Sequence, residues 1–99
     1  MKLVTYLIGW FDGWSAAGGR NLNASGGTSA KEWPTQSAWI QLEGSLRSGR
    51  LAVWENGQID LEIYDNSSAE PVLLRSSNIQ TVEALVQSIK ELLESVAND

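Results

Sequence analysis

Apolar residues near the start of the chain recur with the period of an α-helix. From Lys2 to Trp14 they fill one arc of about 200°, and Gly18-Gly19 offers a left-handed cap at its end. The pattern predicts a helix over residues 1–17. Because this arc is wider than one packed neighbour covers, the helix either lies between a sheet and a second helix or turns Trp10 or Trp14 towards a protein partner.

The same stretch also has features of a secretory signal peptide, with Ser15-Ala16-Ala17 as the small residues of a cleavage site. Asp12 and Trp14 interrupt the approach to those residues, and a signal peptide does not need its apolar positions on one helical face. We therefore favour the helix. No apolar stretch approaches the ~20 residues that a transmembrane helix needs.

A second helical pattern covers residues 81–97. Thr81 is a favourable N-cap, and Glu83 lies in the first turn, where the helix dipole favours an anion. The apolar residues keep to an arc of roughly 120°, the width of one packed face: Val82, Leu85, Val86, Ile89, Leu92, Leu93 and Val96. This helix is expected to cover the core.

Between the two helices, three runs alternate apolar and polar residues: 38–43, 50–54 and 58–64. Alternation predicts strands with one buried and one solvated face. A fourth run, 71–75, fits an edge strand that begins at Pro71. The predicted fold class is α+β: an N-terminal helix, an antiparallel meander of 3–4 strands over residues 38–75, and a C-terminal helix, with both helices on one face of the sheet.

Residues 18–37 are rich in Gly, Asn, Ser and Thr, which predicts a loop or a poorly formed strand around Leu22 and Ala24. Loops of this length are uncommon in compact domains and tend to be functional or mobile. The paired glycines do not form a phosphate-binding loop, because no Gly-Lys-Ser/Thr follows them and no clear strand precedes them.

The turn Glu55-Asn56-Gly57 decides which side chains share a face. A two-residue Asn-Gly turn would pair Glu55 with Gln58, whereas a three-residue loop with a bulged Gly57 would pair Trp54 with Gln58. Only the second register gives an aliphatic inner face, since a slip of one residue exchanges the two faces of a strand. The inner residues are then Leu51, Val53, Ile59, Leu61 and Ile63. We favour the bulged hairpin.

In that register the outer face carries aromatic residues among carboxylates: Trp39, Gln41, Glu43, Trp54, Asp60, Glu62 and Tyr64. Such residues are not needed for folding, and Trp and Tyr are common interface anchors. Five acidic and no basic residues lie between Arg50 and Arg75, which favours a basic partner. The alternative is that Trp54 belongs to the core or that the N-terminal helix covers this face.

Composition limits the chemistry that the chain can perform. The 99 residues predict a single domain (1–99) and include neither His nor Cys, which excludes zinc and haem sites, disulfides and His-assisted nucleophiles. A net charge of -5 disfavours nucleic acid and membrane as partners. Asp60 and Glu62 are the remaining catalytic candidates, but a small sheet offers them little concavity. We expect no enzyme activity, no metal and no cofactor.

Three strand segments and the Trp-Glu-x-Gly turn resemble the TriTu-type immunity proteins of bacterial polymorphic toxin systems. The segments are Ser37–Glu43, Gly49–Gly57 and Asp60–Ile63. The similarity extends to the helix around Thr81–Leu93 and more faintly to Phe11–Trp14, whereas residues 20–35 show no match. The resemblance implies a cytoplasmic antidote that binds and neutralises a cognate toxin.

Residues and resemblance together predict an immunity protein that occludes a basic site on its toxin. The expected toxin contacts are Trp39, Glu43, Trp54, Asp60, Glu62 and Tyr64, with Trp33 as a loop candidate. A homodimer is also compatible with the sequence. The alternative function is a secretion chaperone or adaptor that escorts an effector protein.

Overall fold

The computed structural model describes residues 2–19, 22–29 and 35–97 and confirms the predicted α+β class. The elements are α1 (Leu3–Ala16), β1 (Asn23–Thr28), β2 (Ser37–Glu43), β3 (Arg47–Trp54), β4 (Gln58–Asp65), β5 (Pro71–Asn78) and α2 (Val82–Ala97). The five strands form one antiparallel sheet in the order β1-β2-β3-β4-β5. Each strand therefore pairs with its neighbour in sequence, as a meander requires.

Both helices pack on the same face of the sheet. A Cβ added to Gly49 of β3 would collide with the Leu92 side chain of α2, and one added to Gly26 of β1 would lie 3.3 Å from the ring of Phe11 in α1. Gly26 pairs with Ile40, whose side chain is fully buried. We call this helix-covered side the inner face and the opposite side the outer face.

The inner face is the hydrophobic core. Aliphatic side chains from β2, β3 and β4 are buried there against Leu3 and Leu7 of α1 and against one stripe of α2. The α2 stripe consists of Leu85, Ile89, Leu92 and Val96. Trp10 and Trp14 are half-buried against this core and stack on each other with ring centroids 5.6 Å apart. Of the two arrangements predicted for the wide apolar arc of α1, the packing thus supports a helix that lies between the sheet and the second helix.

The segment predicted as a loop or a poorly formed strand around Leu22 and Ala24 contains a fifth strand, which includes Ala24. β1 pairs with β2 along its whole length, although its sequence Asn-Ala-Ser-Gly-Gly-Thr has little strand propensity. Its glycines lie beneath aromatic rings from elsewhere: Gly26 beneath Phe11, and Gly27 beneath Trp39, whose indole atoms would lie 3.1 Å from an added Cβ. Glycine in a strand often marks such close approach. The strand therefore depends on Phe11 and Trp39, which lie outside it.

The bulged hairpin predicted at residues 55–57 is present. Val53 pairs with Ile59 and Ala52 with Asp60, so Trp54 falls opposite Gln58. Gly57 has φ +98°, and its N–H donates to the Trp54 carbonyl oxygen at 3.0 Å. The left-handed conformation at this glycine fixes the register of the sheet.

The helix ends follow the predicted capping signals, with one addition. Gly18 and Gly19 have positive φ at the end of α1, and the Thr81 hydroxyl accepts the Ala84 N–H at the start of α2. At the start of α1, Lys2 supplies no side-chain cap. The Glu55 carboxylate instead accepts the Val4 N–H at 2.7 Å, from a residue 51 positions away. An anion at this position also suits the helix dipole.

Replacing Glu55 should therefore destabilise the fold from the end of α1. We expect Glu55→Ala to lower the free energy of unfolding by about 1 kcal/mol, the usual cost of a lost N-cap. Urea denaturation followed by tryptophan fluorescence measures this value. Glu43→Gln is the control, since Glu43 is exposed on the outer face and its change should stay within about 0.5 kcal/mol. Equal effects of the two substitutions would contradict the capping role.

Two glycine substitutions should have opposite effects. At Gly57 an added Cβ would lie 2.6 Å from the Ile79 carbonyl oxygen in a left-handed backbone, so Gly57→Ala should destabilise by about 1–3 kcal/mol. At Gly9, inside α1, nothing lies within 4 Å of the added Cβ. Gly9→Ala should therefore stabilise the fold by about 0.5–1 kcal/mol. Thermal unfolding of both variants tests whether the melting temperature falls for Gly57→Ala and rises for Gly9→Ala.

Candidate protein-binding face

The outer face collects the predicted site residues that the structure describes. Register places Trp39 opposite Ala52, Ala52 opposite Asp60, and Ser37 opposite Trp54. The same face continues through two further rows of paired residues: Gln41, Arg50 and Glu62, then Glu43, Ser48 and Tyr64. Six of the seven predicted contacts therefore lie on one surface, opposite both helices. The seventh, Trp33, lies outside the described residues.

Trp39 is held flat on the sheet by its neighbours. Its indole covers Gly27 of β1 on one side, and the Arg50 guanidinium lies over the ring, 5.4 Å from the centroid. A cation over an indole face is attracted by the ring quadrupole. The side chain is half-buried, and Ala52, its pairing partner on β3, is 6% exposed although it lies on the outer face. Trp39 is thus a pre-positioned aromatic surface.

Trp54 lies at the end of β3, on the outer side of the sheet. It is half-buried, and it is not among the partly buried side chains that pack against the core. The next backbone N–H, that of Glu55, donates to the Gln36 carbonyl oxygen, which fixes the strand end beside β2. Within the described part of the chain, the structure therefore does not support a core position for Trp54. It also does not support the alternative that α1 covers the outer face.

The carboxylates of this face differ in how firmly they are held. Glu43 is exposed at the end of β2. Asp60 accepts a 2.7 Å hydrogen bond from the Ser76 hydroxyl, and Glu62 accepts a 3.3 Å hydrogen bond from the Tyr64 hydroxyl. The face thus offers carboxylate oxygens whose positions are partly fixed from β4 and β5.

The acidic residues that follow one another along the segment between Arg50 and Arg75 lie in different parts of the fold. Glu55 caps α1, and Asp65 holds the turn after β4 by accepting the Ser67 hydroxyl at 2.6 Å and the Ser67 N–H at 2.8 Å. The Ser67 hydroxyl first, and then backbone N–H groups, hold the pKa of Asp65 below its usual value. The predicted acidic stretch therefore reaches the outer face mainly through Asp60 and Glu62.

Arg50 is a charged residue of this face that the sequence prediction omitted. It lies between Gln41 and Glu62, so among the residues that the structure describes one guanidinium accompanies the three carboxylates. The alternation of β3 contained the signal, because residues 50, 52 and 54 of one strand share a face. The outer face is accordingly of mixed charge with an acidic excess.

Shallow depressions lie among the described residues of the outer face. One of about 120 Å³ is lined by Gln41, Ser48, Gly49, Arg50, Glu62 and Tyr64. A second of about 230 Å³ lies at β4 and β5, and a third of about 180 Å³ lies at β1 and β2. Their small size suits single side chains of a partner better than a substrate, which usually binds in a cleft of roughly 300–1,000 Å³.

Neither metal binding nor membrane insertion has support among the residues that the structure describes. In residues 2–19, 22–29 and 35–97, no three acidic side chains gather in a way that could hold a metal ion. Over the same ranges, neither helix has the length and apolar content to cross a membrane. The outer face is thus described by its aromatic rings, carboxylates and single guanidinium.

Comparison with known families identifies the class of protein. A sequence model described as "Immunity protein TriTu" matches residues 6–95, which leaves out only the first five and the last four residues. The chain therefore belongs to the TriTu family of immunity proteins, and the resemblance inferred from the strand residues is confirmed. A comparison with curated proteins finds no match. Family membership implies a toxin partner and an immunity role.

The titration of Tyr64 tests the geometry of the outer face. Desolvation raises the pKa of Tyr64 above its ordinary value of 10.0, and the Glu62 carboxylate raises it further by its charge and by accepting a hydrogen bond from the Tyr64 hydroxyl. A raised folded-state pKa stabilises the fold below pH 10 or so, and this contribution is lost as the pH rises through the folded-state pKa.

We expect Glu62→Gln to lower the pKa of Tyr64 towards its ordinary value without reaching it, because the desolvation remains. Tyrosinate absorbance measures the titration, and a Tyr6→Phe background removes the other tyrosine. Glu43→Gln is the control and should leave the titration unchanged. An unchanged Tyr64 titration in Glu62→Gln would show that the two side chains do not interact in solution.

Proposed function

We propose that this immunity protein neutralises a cognate bacterial toxin by binding it directly through the outer face. The observation that carries the proposal is the presence of Trp39 and Trp54 on a sheet face that neither helix covers. Trp and Tyr dominate the energetics of protein interfaces when a partner buries them. An aromatic surface outside the core therefore favours binding, although Trp39 also covers Gly27 of β1.

Charge indicates what kind of surface the partner presents. The chain has a net charge of -5, and the outer face adds Glu43, Asp60 and Glu62 to its aromatic rings. Such a face attracts a basic surface and accelerates its association. Toxins that act on nucleic acids or nucleotides need basic groups to bind phosphate. We infer that the outer face occludes a basic site of the toxin.

The structure suits inhibition by contact better than catalysis. Asp60 and Glu62, the catalytic candidates of the sequence, lie on an open sheet face with depressions of about 120–230 Å³. Direct binding needs only a surface, and about 800 Å² per partner is usual for a specific complex. We accordingly propose a non-enzymatic inhibitor that acts in the bacterial cytoplasm as part of a polymorphic toxin system.

The neighbouring reading frame provides the first test. We expect it to encode a larger protein with a C-terminal toxin domain, and co-expression of this chain should protect cells from that domain. A secretion chaperone would instead raise the export of the neighbour's product without protecting the cell that makes it. Absence of protection would reject the immunity mechanism proposed here.

A double substitution tests the assignment of the outer face. Trp54→Ala with Asp60→Lys removes an aromatic anchor and reverses one charge, so binding to the toxin domain should weaken by at least about 2 kcal/mol, or roughly 30-fold in Kd. Isothermal titration calorimetry measures the affinity, and circular dichroism checks the fold.

The matched control for that variant is Glu94→Lys, which makes the same type of charge change at an exposed position on α2. It should retain wild-type affinity. Equal affinity of all three proteins would remove the outer face from the interface. Unfolding of the double variant would show that Trp54 supports the fold instead.

A further inference from the structure

β5 forms one open edge of the sheet. It is the last strand in the order β1-β2-β3-β4-β5, and its residues are exposed apart from the half-buried Leu73. Val72 and Leu74 are 48% and 58% exposed, so this edge presents two large apolar side chains to solvent. Proteins commonly protect sheet edges with proline, bulges or charge. Pro71 and the bulge near it protect only the beginning of β5.

The hydrogen-bond pattern shows which backbone groups of β5 are open. The Ile79 N–H donates to the Gly57 carbonyl oxygen at 2.8 Å, so the backbone of Ile79 faces the β4 side. Successive residues of an antiparallel strand alternate between the two sides. Residues 73, 75 and 77 therefore bond to β4, while Leu74 and Ser76 direct their N–H and C=O groups away from the sheet.

Side chains beside this edge form a receptor for a basic group. The depression of about 230 Å³ is lined by Asp60, Leu61, Glu62, Leu74, Arg75 and Ser76. The Arg75 guanidinium is directed to the inner face, where it pairs with Glu91 of α2 at 3.0 Å. The outer side of the depression therefore combines the exposed Leu74 with the carboxylates of Asp60 and Glu62.

We propose that an extended basic segment of the toxin adds to β5 as a sixth strand. Its backbone bonds to the N–H and C=O groups of Leu74 and Ser76, the pattern of β-strand addition. A Lys or Arg side chain of that strand lies along Leu74 and directs its charge to Asp60 and Glu62. The added strand lies about 4.8 Å from β5, so these carboxylates are roughly 10 Å away, within the combined reach of the side chains.

Charge and composition favour a basic strand of the toxin as the partner of the β5 edge. A second copy of the chain would bring another net charge of -5 to the same edge, whereas a basic strand complements it. The opposite edge, β1, has the sequence Asn-Ala-Ser-Gly-Gly-Thr and offers neither a carboxylate nor an apolar side chain larger than alanine. The inference rests on the proposed toxin binding and specifies how the edge beside the outer face takes part in it.

Proline substitution on the two edges tests the inference. Ser76→Pro removes an open N–H without breaking a bond to β4, so the isolated variant should stay folded. It should bind the toxin domain encoded by the neighbouring gene about tenfold or more weakly than the wild type. Ser76→Ala controls for the hydroxyl bonded to Asp60 and should bind within about threefold of the wild type.

Ala24→Pro is the matched control on β1. The Ser29 N–H donates to the Ser37 carbonyl oxygen, so odd-numbered residues of β1 face β2 and the Ala24 N–H is open. This variant should bind like the wild type. Hydrogen exchange of the wild-type complex supplies a measurement that needs no variant, and it should show protection of the Leu74 and Ser76 amides.

The possible results separate this inference from the proposed function. Wild-type binding with unprotected Leu74 and Ser76 amides, or with undiminished affinity in Ser76→Pro, would overturn strand addition and leave binding through the outer face intact. Failure of the wild-type chain to bind the toxin domain would overturn both. Equal losses in Ser76→Pro and Ala24→Pro would show a general effect of edge proline and also overturn strand addition.

Discussion

The arrangement of this protein depends on the three-residue turn Glu55-Asn56-Gly57. The Glu55 carboxylate caps α1 by accepting the Val4 N–H. The Gly57 carbonyl oxygen accepts the Ile79 N–H, shortly before α2 begins. The left-handed conformation of Gly57 sets the pairing of β3 with β4. One turn therefore connects both helices to the central hairpin, and a shift of a single residue would disturb all three connections at once.

The register set by this turn divides the sheet into two chemically different faces. Leu51, Val53 and Leu61 fall on the side that both helices bury. Together with the pairing of β2 and β3, this register places Trp39, Trp54 and the carboxylates on the other side. The core and the proposed binding surface thus occupy opposite faces of the same strands, although Trp39 of the outer face also packs on Gly27 of β1.

Local patterns were sufficient to predict much of this structure. The helices, the central strands and the bulged register follow from periodicity, capping residues and one glycine, because each signal lies within the element that it specifies. For β1 the local pattern indicated only a loop or a poorly formed strand around Leu22 and Ala24, since the rings of Phe11 and Trp39 that cover its glycines come from other elements. Capping of α1 by Glu55 joins residues 51 positions apart, so the sequence around α1 gives no sign of it.

The spatial separation of the carboxylates gives the binding hypothesis its specificity. Counting charge along the sequence treats Glu55, Asp60, Glu62 and Asp65 as one acidic stretch. In the fold, Glu55 and Asp65 hold a helix end and a turn, whereas Asp60 and Glu62 lie beside an exposed leucine and an open strand edge. A partner that recognised charge alone could approach many parts of an acidic protein. One that adds a basic strand to β5 must match backbone direction, side-chain alternation and charge together, which is the selectivity that an immunity protein needs against its own toxin.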